Sequence, residues 1–579
     1  MNHLLGRRDA RGHGGGVRGA DLSRRSNQFQ GRFGRMFRTL PAADFTDNDL
    51  HKLAHEGMTA EAEKSMIAGK LVRVATAEDV VDDEENFGIP AGYTYFGQFV
   101  DHDLTFDPAS SLQGQNDPDG LTDFRTPRFD LDSLYGRGPS DEPFMYDGAG
   151  KTFLLGKELT RGGTSTTPKA HDLARAGNDR AIIGDKRNDE NVIVSQLQGL
   201  FLRLHNRIVR DHASMPFIDV QREVRWHYQW VVVHDYLKRI VGEEMLHKVL
   251  PHLKPGSSGN IHEDKPCLNF YHSKNNAFIP VEFSVAAYRF GHSMVRPIYR
   301  LSAELGVDAA DPTHTVGRQL IFASEGASGL NGFRSFDSGW AIDWHLFFEM
   351  DATLSPTDTT KKGPKRVQPS YKIDTSLVNP LDFLPEFCKM KDGTRDLLLE
   401  DDKPVAQTDP LTHRPEIPNL AHRNLLRGRS MGLPSGQTVA RAMGLVPLKD
   451  IEIVIGKANV GSTFGEKNKP ATNRCITDYG ASFKGNAPLW VYVLAEAQNA
   501  WSRAAQAVLK SDGSNADEAN AISVHLGPVG GRIVAETIVG LLLADSYSCL
   551  SQDPTWKPQT SWMQHGKFEM PQLVKAAIG

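Results

Sequence analysis

Between Tyr93 and Leu104 the chain reads Tyr-Thr-Tyr-Phe-Gly-Gln-Phe-Val-Asp-His-Asp-Leu, with too few apolar residues for a plain core helix and polar groups at telling spacings. On a helix advancing about 100° per residue, Gln98, Asp101 and His102 stand at i, i+3 and i+4 and share one face. Asp103 points about 100° away from His102, toward a different neighbour. One short helix thus offers an amide, a carboxylate and an imidazole to one site, and a second carboxylate to another. Pro90-Ala91-Gly92 punctuates its start.

The remaining patterns are mostly helical. Val194, Leu197, Leu200, Phe201, Leu204 and Ile208 form an apolar stripe, with Arg203, Asn206, Arg207 and Arg210 opposite. Gln221 to Leu250 continues in helical register, with Trp226, Trp230, Val233, Leu237 and Ile240 as its buried face. Further helices are expected at Thr59–Leu71 (Thr59 as N-cap), Val281–Val295, Thr438–Met443, Leu489–Ala507 and Gly530–Ala544. Residues 138–180 read as a long irregular connection, and residues 326–420 as loops around short helices. The fold class that follows is mainly α, with long loops and little β-structure. Residues 1–34, rich in Gly and Arg, read as a disordered tail ahead of a single domain over residues 35–579.

Composition excludes more than it assigns. A net charge of −5 gives no reason to expect nucleic acid or an anionic membrane as partner. No apolar run approaches the ~20 residues of a spanning helix. Arg7-Arg8 lacks a following apolar segment, so the expectation is no classical secretory signal, with the chain cytoplasmic or exported by a route without one. The four cysteines, Cys267, Cys388, Cys475 and Cys549, are widely spaced and read as thiols.

Three further segments carry chemistry. In Arg125 to Gly136, Thr126, Arg128, Asp130 and Asp132 alternate, so in an extended loop they face one way. Oxygen ligands at that spacing suit Ca²⁺; the alternative is a solvated acidic loop, and Asp103 as a distant ligand tilts the balance to the ion. Arg187 and Glu190, at i and i+3, have a surface ion pair as their default reading. His292 recurs on a helical stripe with Val285, Tyr288, Arg289 and Val295. It is a ligand or a satisfied core residue, and Gly291 before it lets something flat approach the backbone.

Taken together, Gly97 to Asp103, Thr126 to Gly136, Arg187-Asn188-Asp189-Glu190, Arg289-Phe290-Gly291-His292, Asn424 with Arg427, and Leu526 to Glu536 resemble the animal-type haem peroxidases of the peroxidase–cyclooxygenase superfamily. The likeness runs in order over roughly residues 30 to 550. It implies a haem b cofactor with His292 as proximal iron ligand and Asn424 holding that ring's other nitrogen. His102, Arg187 and Gln98 would be the catalytic residues acting on hydrogen peroxide. Asp101 and Glu190 match the positions that esterify haem in mammalian members. Asn191 stands where a methionine makes a third link in one of them, so that link should be missing. Asp103, Thr126, the Arg128 carbonyl, Asp130 and Asp132 would bind Ca²⁺, and Arg427 and Arg289 would pair with haem propionates. Small anionic or phenolic donors are the implied reductants, bromide, iodide or thiocyanate before chloride. A fatty-acid dioxygenase of the same superfamily needs a tyrosine three residues before the proximal histidine, where this chain has Arg289. A non-catalytic adhesion or matrix protein of the same fold would not need His102, Arg187 and His292 intact.

Overall fold

The structure, a computed structural model, describes residues 33–59, 84–106, 123, 125–161, 165–273, 277–302, 318–322, 329–351, 366–392, 397–400, 403–409, 413–466 and 468–579. Among these residues the architecture is mainly α, and the sheets are two-stranded. The helices that build the site are α1 (Asp47–Lys52), α2 (Gly92–Leu104), α3 (Val192–Asp211), α4 (Phe217–Val231), α5 (Leu237–Val249), α6 (Leu420–Ser430), α7 (Leu489–Val508), α8 (Pro528–Ala544) and α9 (Met570–Ile578). One apolar cluster runs from Phe33 to Ala577. No helix among the described residues is long and apolar enough to cross a membrane. The four cysteines form no disulfide.

Helix α2 lies at the centre. Its N-terminus has no side-chain cap. Instead Ala91 N–H donates to Gln368 O and Gly92 N–H to Phe347 O, at 2.8 and 2.9 Å, so neighbouring backbone satisfies groups that a helix start leaves open. Every residue of α2 is buried except Gln98 and Asp101, which mark the face turned to the site. Phe99 stacks on Phe201 of α3 with ring centroids 4.7 Å apart, and Phe96 meets Tyr236 edge-on at 5.4 Å. Tyr93 Oη donates to Asp235, which also accepts from Arg239 Nε at 2.8 Å and from Met570 N–H at 2.8 Å, tying α2 to the start of α9. Strand β1 (Glu85–Pro90) leads into α2, and its antiparallel partner lies far along the chain.

Several expectations are met within a residue or two. Helix α3 buries the predicted stripe and is capped by Asn191, whose Oδ1 accepts from Ile193 and Val194 N–H at 3.1 and 2.9 Å. Helices α7 and α8 match Leu489–Ala507 and Gly530–Ala544 closely.

Other expectations need correcting. The segment Gln221–Leu250 is not one straight helix. A π-turn at Val232–Tyr236 and a kink at Gly242 (φ 76°) break it. Carbonyls of Arg239 and Ile240 accept from His525 Nδ1–H and Leu526 N–H at 2.7 and 2.9 Å, which draws the backbone out of register. The segment Val281–Val295 is a π-turn (Glu282–Ala286) followed by a 3₁₀ turn (Ala287–His292), with Ala286 at φ −129°, ψ −77°. Residues 138–180 contain an antiparallel hairpin, β2 (Leu155–Arg161) and β3 (Ser165–Leu173), whose polar strands gave no apolar alternation. Residues 1–32 of the expected tail, and all but Thr59 of the Thr59–Leu71 helix, lie outside the described residues. Phe33 and Gly34 pair in parallel with Ile279 and Pro280.

Candidate active site

On one side of the site His102, Arg187 and Gln98 are held by partners from residues 185–198. Asp185 caps the 3₁₀ turn Lys186–Asp189, accepting from Arg187 N–H at 2.9 Å. Its carboxylate also takes Arg187 Nε–H (3.2 Å) and Nη2–H (2.8 Å), while Nη2 donates to His102 O at 3.0 Å. The guanidinium lies 4.7 Å from the Phe106 ring centre. Arg187 is therefore bonded to Asp185 and the end of α2, and the surface pair with Glu190 does not form.

Asn188 fixes the imidazole of His102. Its Nδ2 donates to Gln198 Oε1 at 2.9 Å, so its own oxygen faces His102 Nδ1 at 2.8 Å. The Nδ1 proton is thereby held, and Nε2, 3.9 Å from Glu190 Oε2, is the basic nitrogen. Burial, helped by the Arg187 charge, pushes the His102 pKa down to about 3, so the ring is neutral near pH 7. Gln98 bridges the cluster: Nε2 donates to Glu190 Oε2 at 3.0 Å and Oε1 accepts from Asn191 Nδ2 at 3.2 Å. Burial raises the Glu190 pKa to about 8, with the Glu386 charge adding to it, and raises Asp101 as well. Asp185 and Gln198 were not singled out by sequence, and Asn188 only as a member of the Arg187–Glu190 motif with no role of its own. Only Asp185, two residues before Arg187 in an N-cap position, left a local signal.

On the other side, His292 ends the 3₁₀ turn. The Asn424 NH₂ of α6 donates to His292 Nδ1 at 2.8 Å. Arg289, which can only donate, holds the Asn424 carbonyl oxygen through Nη1 and the Ser284 carbonyl through Nε at 3.1 Å. Trp490 packs edge-on to His292, with its Nε1–H on Arg289 O at 3.1 Å. His292 Nε2 makes no hydrogen bond among the described residues, and a Cβ on Gly291 would meet no atom within 4 Å. With Nδ1 accepting from Asn424, the neutral ring carries its proton on Nε2. Holding a metal through Nε2 would need that proton to leave or the Asn424 amide to turn its oxygen toward Nδ1. The open space at Gly291 fits a flat ligand. Arg427 lies three residues beyond Asn424 on α6, half-buried.

The two sides belong to one site. Tyr288 Oη donates to Gly97 O on α2 at 3.3 Å and meets Tyr236 Oη at 3.0 Å. The Asp101 carboxyl lies in the field of both Arg187 and Arg289. The tyrosine that precedes His292 by four residues is thus engaged with core hydroxyl and carbonyl groups.

A third cluster lies behind α2. Asp103, Asp130 and Asp132 are buried with carboxylate oxygens within 4.8 Å of one another. Neither oxygen of Asp103 has a hydrogen-bond partner, and burial, then the Asp130 and Asp132 charges, pushes its pKa well up. Thr126 Oγ1 donates to Asp130 Oδ2 at 2.8 Å, and Arg128 N–H to Thr126 O at 2.8 Å. The loop is not extended as expected: Leu131 is left-handed (φ 56°), and this turn rather than strand alternation brings Asp130 and Asp132 to one point. Orphaned buried carboxylate oxygens fit a hard dication. The cluster also reaches Arg187. Asp132 Oδ1 accepts from Arg125 Nη1 at 3.2 Å, Arg125 Nη2 donates to Asp185 Oδ2 at 2.6 Å, and Asp185 holds Arg187.

Residues 118–327 match the family described as animal haem peroxidase. The human "Probable oxidoreductase PXDNL" is 31% identical over 129 residues, 22% of this chain and 8% of that protein. "Peroxinectin A" of Dictyostelium discoideum is 29% identical over 125 residues, 21% of each chain. The chain thus spans a small part of the length of these curated relatives. Among solved structures, peroxidase A of Dictyostelium discoideum aligns over 95% of this chain and 93% of its own, at 15% identity and a TM-score of 0.49. By this match and these relatives, residues 118–327 are similar to the animal haem peroxidase family.

Proposed function

We propose that this protein is a haem peroxidase that reduces hydrogen peroxide and oxidises bromide, iodide, thiocyanate or phenolic donors in preference to chloride. The observation that carries the reading is the His102 imidazole, neutral and locked through Nδ1 by Asn188, in one site with His292 locked through Nδ1 by Asn424. His292 would hold haem through Nε2 once that nitrogen has given up its proton, and the haem would supply the two-electron reduction of peroxide. His102 Nε2 accepts a proton from one peroxide oxygen and returns it to the departing one. Arg187 places a fixed positive charge where negative charge grows on that oxygen, and its Nη1 makes no hydrogen bond among the described residues. Gln98, pinned by Asn191 and Glu190, orients peroxide or water.

Asp101 and Glu190 are the residues proposed to esterify haem methyl groups, a two-electron oxidation in which hydrogen peroxide would be the oxidant and each carboxyl would lose its proton; burial raises both pKa values, so that proton must leave first. Asn191, bonded to Gln98, offers no sulfur for a third link. Without that link the haem is a milder oxidant, hence the donor order proposed. Steady-state kinetics of the haem-loaded protein with peroxide against chloride, bromide, iodide, thiocyanate and phenols test it. Turnover with the last four and none with chloride near neutral pH is expected. Sustained chloride oxidation refutes the donor order. Oxygen uptake with linoleate or arachidonate, without peroxide, would move the assignment to a dioxygenase.

The aspartate cluster is proposed to bind Ca²⁺ and to hold α2 and, through Arg125 and Asp185, the Arg187 guanidinium. A ligand at 100 times its Kd stabilises the folded state by about 2.7 kcal/mol. Chelation should therefore lower the thermal midpoint by several degrees and disturb the haem spectrum. An unchanged midpoint and spectrum would count against the site.

A further inference from the structure

Away from the haem site three imidazoles touch one another. His51 of α1 stacks on His55, in the π-turn Leu53–Met58, with centroids 4.3 Å apart and planes at 26°. His422, in the first turn of α6, stands edge-on to both at 5.4 Å. Asp382 Oδ1 lies 3.8 Å from His55 Nδ1 and accepts from Asn419 Nδ2. Asn419 is the N-cap of α6, with Oδ1 on His422 N–H at 2.7 Å. We propose that His51, His55, His422 and Asp382 form a binding site for a transition-metal dication of the zinc type, which clamps α1 and its π-turn to the first turn of α6.

The spacing supports this first. Metal–nitrogen bonds of about 2.0–2.1 Å in a tetrahedral set hold imidazole centroids roughly 5 Å apart. Both ring separations from His422 are near that value, but the donor atoms are not yet gathered within 4.8 Å of one another, so the rings must turn to share an ion. Two parallel rings cannot aim lone pairs at one ion, so binding requires one of them to turn. His51 is exposed and turns without disturbing the core.

The donor chemistry supports it as well. Three imidazoles and one carboxylate are a set for Zn²⁺, Cu²⁺ or Ni²⁺, unlike the all-oxygen Asp103 cluster. Helix α6 also carries Asn424, two residues beyond His422, so a clamp on its first turn braces the residue that holds His292. Binding itself does not depend on the peroxidase reading.

Calorimetric titration with zinc chloride, with excess calcium present to fill the aspartate cluster, is the test. Co²⁺ serves as a spectroscopic probe of four-coordinate geometry. One equivalent of zinc should bind, and a visible Co²⁺ band should appear. Affinity should fall at least roughly tenfold in His51→Gln and in His422→Gln, a loss that even outer-shell changes cause. His51→Gln, on an exposed side chain, guards against loss of fold, checked by an unchanged thermal midpoint without zinc. No zinc binding, or equal stoichiometry and affinity in His51→Gln and the parent, overturns the proposal and leaves the cluster as packed rings.

Discussion

His102→Gln is expected to slow the reaction with hydrogen peroxide by roughly 10²–10⁴-fold, the range for loss of a positioned general acid–base, while leaving haem absorbance intact. The glutamine fills most of the space and keeps polarity but cannot carry a proton between two peroxide oxygens. In the proposed mechanism His102 would do this through one nitrogen only, because Asn188 Oδ1 holds the Nδ1 proton and Gln198 in turn holds Asn188. The same geometry makes a statement about pH. Burial and Arg187 lower the His102 pKa to about 3, so the basic form is present at all pH values above that, and the wild-type rate should show no histidine inflection near pH 6.5. Stopped-flow measurement of the peroxide reaction in both proteins decides it. A loss under tenfold in the variant would remove His102 from the mechanism.

The second large effect is on folding. Glu85, fully buried on β1, accepts from Arg296 Nη1 at 2.9 Å and from Arg366 Nη1 and Nη2 at 2.7 and 2.6 Å. Arg296 also donates to Pro369 O at 2.9 Å, so the cluster joins the two strands that precede and flank α2. Glu85→Ala leaves two guanidiniums with little access to water and without their carboxylate. Breaking a buried pair from one side costs about 3–5 kcal/mol, because a charge is left uncompensated. Urea unfolding should show that loss, with the haem spectrum changing along with it since α2 starts at this point. A change under about 1 kcal/mol would mean that solvent reaches the arginines and screens them.

These two residues differ in how visible they were beforehand. His102 stood out because its functional neighbours Gln98 and Asp101 lie within a turn, and helical spacing reports such neighbours directly. Glu85 carried no signal: its partners are 211 and 281 residues away. The aspartate cluster falls between. The alternation of Thr126, Arg128, Asp130 and Asp132 marked the loop, but the left-handed turn at Leu131 that gathers the carboxylates was not readable from it.

The amino-acid sequence by itself determined the helical class, the stripes of α3, α7 and α8, and the polar face of α2, because each rests on periodicity within a few turns. Only the tertiary structure decided that Asn188 and Gln198 set the tautomer of His102, that Arg289 holds Asn424 against His292, and that His51, His55 and His422 meet. It also decided the kink at Gly242 and the irregular turns before His292, where contacts from distant segments outweigh a helix propensity worth only a few tenths of a kcal/mol per residue. Local pattern carries information about neighbours along the chain; a hydrogen bond between residues 86 or 132 positions apart exists only once packing has brought them together.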